Sequence, residues 1–159
     1  MYSLAEALPS DLPAVRALLR RYARALAFDL AYQRFDEELE ALPRPYVRPA
    51  GLLLVARQPD AIVGVAAYRP LGGGIAEVKR MYVAPEAQGQ GLGRALLERL
   101  IAEATAAGHA ALRLDTHRPT MAAAIGLYTA LGFEEIPAYG PDPTGEIAFF
   151  QRTLAADRA

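Results

Sequence analysis

Residues Glu77 to Glu98 read EVKRMYVAPEAQGQGLGRALLE. The run Glu77 to Val83 has the character of a strand, and Pro85 turns the chain. A glycine-spaced loop follows, Gln88-Gly89-Gln90-Gly91-Leu92-Gly93, and an amphipathic helix starts with no spare residue between. A loop that enters a helix this tightly aims several unbonded backbone N–H groups at one spot. The helix dipole adds partial positive charge there, so the spot suits an anion such as a phosphate or pyrophosphate. The nucleoside triphosphate loop needs Gly, four residues, then Gly-Lys-Ser/Thr, and no lysine follows any glycine here. The dinucleotide pattern G-x-G-x-x-G also fails: its last glycine would fall on Arg94 or on Leu96. What remains is Gln-x-x-Gly-x-Gly, carried by Gln88, Gly91 and Gly93. The plain alternative is a glycine-rich turn between strand and helix.

Around this segment lie 159 residues, enough for one domain, 1–159, with a sizeable core. Hydrophobic residues make up 53% and charged residues 22%, the balance of a globular chain rather than a disordered one. A net charge of −1 gives no electrostatic reason to expect nucleic acid or a membrane surface as partner. The chain has no cysteine, which excludes disulfides, thiolate metal sites and a protein thioester intermediate. Lys79 is the only lysine, among many arginines, and asparagine is absent. The start MYSLAEALPSD has neither a basic opening nor a long apolar run, and no stretch approaches a membrane span, so a cytoplasmic location is expected.

Taken in order, Tyr2 to Leu8 is a β-prone start. Pro9-Ser10-Asp11 signals a helix that Ser10 or Asp11 can cap, with Pro13 tolerated in its first turn. Val15, Leu18, Leu19 and Tyr22 recur at helical spacing, and Arg16, Arg20, Arg21 and Arg24 make a solvated opposite face. A second helix is expected over Asp29 to Leu42, with Leu30, Phe35 and Leu39 as buried positions, ended by Pro43, Pro45 and Pro49. The loop from Pro43 to Gly51 either walls a substrate site or simply connects. Strands follow at Gly51 to Ala56, Ala61 to Tyr68 and Ile75 to Val83, an antiparallel meander with turns at Gln58-Pro59-Asp60 and Leu71 to Gly74. The helix after the glycine loop runs to about Ala107 and is capped by Gly108. A short strand, Ala110 to Leu114, closes a crossover unit and so lies parallel to the central strand, Ile75 to Val83. A polar loop from Asp115 leads to a helix from Pro119 or Thr120 to Leu131. Strands from Phe133 to Ile136 and Glu146 to Leu154 enclose the loop Pro137 to Gly145. The sum is an α/β (α+β) arrangement: a mixed, mostly antiparallel central sheet of about seven strands with helices on both faces.

Gln88-x-x-Gly91-x-Gly93 resembles the pyrophosphate-binding motif Arg/Gln-x-x-Gly-x-Gly/Ala of the GNAT superfamily of acyl-CoA-dependent N-acyltransferases. Ala123 to Phe133, AAIGLYTALGF, is similar to the same family's A-x-x-x-Y-x-x-x-G-F, with Tyr128 as its tyrosine and Gly132-Phe133 as its final pair. The two motifs fall in the family's order around the right elements and cover roughly residues 75 to 135. One departure is Met121, near the place where many members carry an asparagine at the last helix. The resemblance implies acetyl-CoA as co-substrate and no metal. It places the pyrophosphate on the N–H groups of Gln88, Gly89, Gln90, Gly91, Leu92, Gly93 and Arg94. It lays the pantetheine arm along Met81, Tyr82 and Val83, where the central strand and the next strand splay apart. The implied partner is a small-molecule primary amine, with a homodimer left open. A protein or peptide acceptor and a non-catalytic acyl-CoA-binding module are the competing readings.

Transfer to an amine needs a free lone pair, a donor for the oxyanion and a proton for the departing thiolate. The spacing of Met121, Ala124, Leu127, Tyr128 and Leu131 alone makes Tyr128 a core residue. The resemblance makes it the acid. Glu77, four before Met81, is the matching base, directly or through a water; its plain alternative is a solvated residue paired with Lys79 on the same strand face. A backbone N–H near Met81 or Tyr82 would hold the oxyanion. His117 stands just past the strand that ends at Leu114, Arg80, Arg113 and Arg118 are candidates for an acceptor carboxylate, which would suit an amino-acid-like substrate, and the loop Tyr139 to Gly145 is positioned to cap the acceptor.

Overall fold

A computed structural model of the chain describes residues 1–25 and 34–154. Seven strands form one sheet: β1 (Ser3–Glu6), β2 (Leu52–Gln58), β3 (Ala61–Gly72), β4 (Ile75–Val83), β5 (Ala111–His117), β6 (Glu134–Ile136) and β7 (Ile147–Thr153). Their order across the sheet is β1-β2-β3-β4-β5-β7-β6. Only β4 and β5 run parallel, so the sheet is mixed and mostly antiparallel as expected. Among the described residues four α-helices complete it: α1 (Leu12–Ala25), α2 (Phe35–Ala41), α3 (Leu92–Ala106) and α4 (Ala122–Ala130).

The helices divide between the two faces. Tyr22 of α1 rests on Tyr82 of β4, with ring centroids 5.2 Å apart, and α1 holds α2 through Arg16 Nε, which donates to the Leu39 carbonyl at 2.8 Å. On the other face a side chain at Gly64 of β3 would meet Leu96 of α3 at 3.3 Å, and one at Gly93 of α3 would meet Leu127 of α4. Leu92, Leu96, Leu97, Leu100 and Ala104 are the buried stripe of α3, recurring at the spacing a helix needs to keep one face on the sheet. Each leucine so buried contributes on the order of 1.5–3 kcal/mol.

Several local expectations are corrected. Asp11 caps from inside a short 3-10 turn, Pro9–Asp11, that leads into α1: its carboxylate accepts the N–H of the turn's N-cap residue, Leu8, at 2.7 Å, and pairs with both terminal nitrogens of Arg57 at 2.6 and 2.5 Å, pinning the helix entry to β2. The arginine face of α1 is not merely solvated, since Arg21 makes a two-point pair with Glu86 beside the glycine loop. β5 extends to His117, so that residue ends the strand instead of following it. α4 begins at Ala122, after Met121. The part of the expected second helix at 29–33, with Leu30, lies outside the described residues.

Two features of β4 shape the site. Its pairing with β3 slips between Val65/Tyr82 and Ala67/Lys79, a bulge at which Arg80 adopts φ 57°, a left-handed value that costs free energy for a side chain of this size. Its pairing with β5 is limited to Ile75↔Ala111, Ala76↔Leu112 and Glu77↔Arg113. Beyond Glu77 the two parallel strands part, and the remainder of β4, through Val83, presents its outer edge to a split.

Candidate active site

The split in the sheet is bounded below by the glycine loop. Gly89 and Gly91 have φ of 83° and 78°, a conformation that L side chains rarely adopt, and the second of them is the residue from which α3 starts. The N–H groups of Leu92, Gly93 and Arg94 have no preceding helical turn to bond to, and no side chain caps them. The first intrahelical bond runs from the Ala95 N–H to the Gly91 carbonyl at 3.0 Å. Gln88 behaves differently from its neighbours. Its N–H donates to the Pro85 carbonyl at 3.3 Å and its side-chain amide donates to the Val83 carbonyl at 3.1 Å. The expectation that the anion cradle begins at the Gln88 N–H is therefore narrowed: that group is spent within the loop, and Gln88 ties the loop to the end of β4.

Along the β4 bank of the split, Tyr82 and Val83 pair inward with Val65 and Gly64 of β3, so the β3 side is closed and the β5 side is open at Met81 to Val83. Tyr128 reaches the split from α4. It is 6% exposed and packs on Phe133 and Phe150 with centroids 6.0 and 6.2 Å away. Its hydroxyl has no hydrogen-bond partner among the described residues. Burial pushes its phenol above the usual range, with Tyr22 and Asp115 adding to the rise, so it stays protonated.

On the α1–α2 face the split opens into a pocket of about 330 Å³. Glu77 lines it and is buried, not solvated. Its Oε1 accepts from Arg69 Nε at 3.0 Å and Nη2 at 2.9 Å, with Lys79 more distant at 4.0 Å. Its Oε2 accepts from the Tyr139 hydroxyl at 2.7 Å. Glu38 of α2 is gripped by Arg80 at 2.7 and 2.9 Å and by the Tyr46 hydroxyl at 2.7 Å. Burial works against ionising Glu38, but the Arg80 guanidinium outweighs it and holds the carboxyl below its usual range. Pro45 contributes to one wall, and Tyr139, Gly140 and Pro141 to another, so the two loops singled out by position both reach the pocket.

The arginines expected to bind an acceptor are engaged elsewhere. Arg80 holds Glu38; Arg113 donates to Gln151 at 2.8 Å and lies over the Tyr139 ring; Arg118 pairs with Glu135. His117 contacts Thr120 at 2.8 Å and Glu146 at 3.4 Å, and it is not among the pocket residues. Arg69 and Asp115 are pocket residues that inspection of the sequence passed over. Arg69 would follow from counting the β3–β4 hairpin outward from its Gly73-Gly74 turn, and Asp115 from continuing the Glu77↔Arg113 register by two residues.

A split strand pair, an uncapped helix start beneath it and a tyrosine whose hydroxyl has no described partner now stand together. The family model described as Acetyltransferase (GNAT) family matches residues 12–133. The chain belongs to the GNAT family of acetyltransferases. It is similar to an uncharacterized N-acetyltransferase of Schizosaccharomyces pombe, 34% identical over 150 residues that cover 93% of this chain and 91% of that one. It is also 44% identical over 110 residues to an IAA acetyltransferase of Azospirillum brasilense, covering 67% and 69% of the two chains. Among solved structures, the ribosomal-protein-S18-alanine N-acetyltransferase of Escherichia coli superposes with a TM-score of 0.73 at 29% identity, over 99% of this chain and 97% of that one. The described residues have the GNAT fold: seven strands, four helices and the parted β4 and β5. Acetyl-CoA is the family's typical co-substrate. The open β4 edge, the free N–H groups of Leu92 to Arg94 and the Tyr128 hydroxyl fit such a molecule.

Proposed function

We infer that this GNAT N-acetyltransferase, acting as one domain over 1–159, moves an acetyl group from acetyl-CoA directly to a primary amine of a small molecule in the cytoplasm, without a metal. The observation that carries this reading is the alignment of the β4–β5 split with the α3 start on one side and a charged pocket on the other. Acetyl-CoA supplies the activated thioester. The N–H groups from Gly89 to Arg94 hold its pyrophosphate, and Met81, Tyr82 and Val83 offer backbone partners to its arm as an added strand would. Tyr128, kept protonated by burial, gives its proton to the departing thiolate. Glu77 acts as base through a water, because Arg69 and Tyr139 already occupy its oxygens and leave only its remaining lone pairs. A backbone N–H at the bulge near Met81 faces the developing oxyanion.

The small acceptor is favoured by the pocket's walls of α2, Pro45 and Tyr139 to Pro141, and the relative called an IAA acetyltransferase is in keeping with it. A second reading, the terminal amine of a protein, draws support from the likeness to the Escherichia coli S18-alanine enzyme. Thiol release from acetyl-CoA, followed against amino acids, polyamines, aminoglycosides and short peptides, separates the two. Turnover confined to the peptides would replace the small-molecule assignment, and failure of CoA to bind in a calorimetric titration would remove the cofactor assignment.

A further inference from the structure

Six charged side chains line the acceptor pocket: Glu38, Arg69, Glu77, Lys79, Arg80 and Asp115. Four of them are paired, Arg80 with both oxygens of Glu38 and Arg69 through two nitrogens with one oxygen of Glu77. Two are left over. Among the described residues the one ion pair of Lys79 is a long one, 4.0 Å to the already paired Glu77 oxygen, with its side chain 14% exposed. Asp115 receives no hydrogen bond from the described residues, and no ion pair joins it to Lys79. Glu77↔Arg113 is the last matched pair of β4 and β5, and Lys79 and Asp115 each stand two residues beyond it. Strand alternation turns both toward the pocket, on opposite banks of the split. One anion and one cation, half desolvated and unspent, face each other across a gap.

We propose that Lys79 and Asp115 select an acceptor carrying both an amine and a carboxylate, with the ammonium on Asp115 and the carboxylate on Lys79. This rests on the acetyltransferase reading and names its substrate class. The orientation follows from Tyr128, which packs on Phe150, the β7 partner of Leu114 beside Asp115, and so stands on the Asp115 bank. The amine must be the end nearest the point of transfer, so the carboxylate falls to the Lys79 bank. A ligand of this kind satisfies both leftover charges at once, and a pocket of about 330 Å³ holds an amino acid but not a folded partner. A diamine would bring a second cation against Lys79 and is disfavoured by it.

The test is thiol release from acetyl-CoA with matched pairs, alanine beside ethylamine and phenylalanine beside phenethylamine, in the natural protein and in Lys79→Met, Lys79→Arg and Asp115→Asn. The amino acid should exceed its decarboxylated partner in kcat/KM by about tenfold or more, the scale of one charge-assisted hydrogen bond. Lys79→Met should collapse that ratio, Lys79→Arg should restore most of it, and Asp115→Asn should lower kcat/KM for both members of a pair. A ratio near one in the natural protein, or a ratio that Lys79→Met leaves intact, overturns the proposal while the acetyltransferase reading stands. Should no amine release thiol, the same pairs are titrated calorimetrically into the CoA-loaded protein. Binding of the amino acids alone supports the proposal, and binding of neither member, or of both equally, overturns it. Failure of CoA itself to bind brings down both readings together.

Discussion

Tyr128 is buried among Phe133 and Phe150 with a hydroxyl that no described residue engages. A hydroxyl with no described partner is available to the chemistry as well as to packing, and kinetics separates the two roles. Tyr128→Phe is expected to lower kcat by about a hundredfold or more while leaving calorimetric CoA affinity within a factor of a few. Its melting temperature should be unchanged or slightly higher, because no hydrogen bond is lost. Asp115 gives a complementary prediction. Burial raises its carboxyl above the usual range, Lys79 opposes this and Glu77 adds to it. A carboxylate whose folded value is raised costs stability above that value, and the cost vanishes below about pH 4, where folded and unfolded chains both bind the proton. Asp115→Asn should therefore melt higher than the natural protein at pH 7, and the difference should shrink as the pH falls toward 4. A residue whose loss stabilises the fold and impairs turnover is one kept for function.

At the scale of elements, the glycine loop and α3 act as a unit, but their glycines are not equivalent. A methyl group at Gly91 would meet nothing within 4 Å, so any penalty comes from its φ of 78°. Gly91→Ala is expected to cost about 1 kcal/mol in urea unfolding and to weaken CoA binding by turning the N–H groups just after it. Gly93 has an ordinary helical backbone and its new methyl would sit 3.9 Å from Leu127, so Gly93→Ala should be neutral or stabilising by up to about 1 kcal/mol. The strand, loop and helix around these glycines were legible in the sequence because all of their signals are local: alternation, glycine spacing, helical periodicity. The pocket was not. Arg69 reaches Glu77 only through the hairpin register, Asp115 faces Lys79 only because two parallel strands start level, and Tyr139 arrives from a loop 62 positions away in sequence. Arg80 makes the same point. Its sequence neighbours give no hint of a bulge, yet at the bulge its guanidinium lies over Phe35 and is paired with Glu38.

For the whole molecule, the narrow junction of β4 with β5 matters most. Three matched residue pairs join the sheet half that contains β1 to β4 to the half that contains β5, β7 and β6. A ligand laid along the open β4 edge adds bonds where the protein has fewest of its own. At a hundredfold excess over its dissociation constant, CoA should stabilise the fold by about 2.7 kcal/mol, which for a chain of this length raises the melting temperature by roughly 5–10 °C. Amide exchange should slow at Met81 to Val83 and at Gly89 to Arg94, and should hardly change at Ile75 to Glu77, already bonded on both sides. Uniform slowing of the whole sheet, with no local maximum at these two segments, would place the cofactor elsewhere.

Lys79 has a practical consequence as well. It is the chain's only lysine, and its ammonium stands inside the acceptor pocket. An amine-directed reagent thus has the α-amino group and this one side chain to attack. The mass of a single peptide then reports whether the pocket is filled, with no engineered label. Molecules that shield Lys79 from acylation could be ranked this way before any of them is known to be turned over.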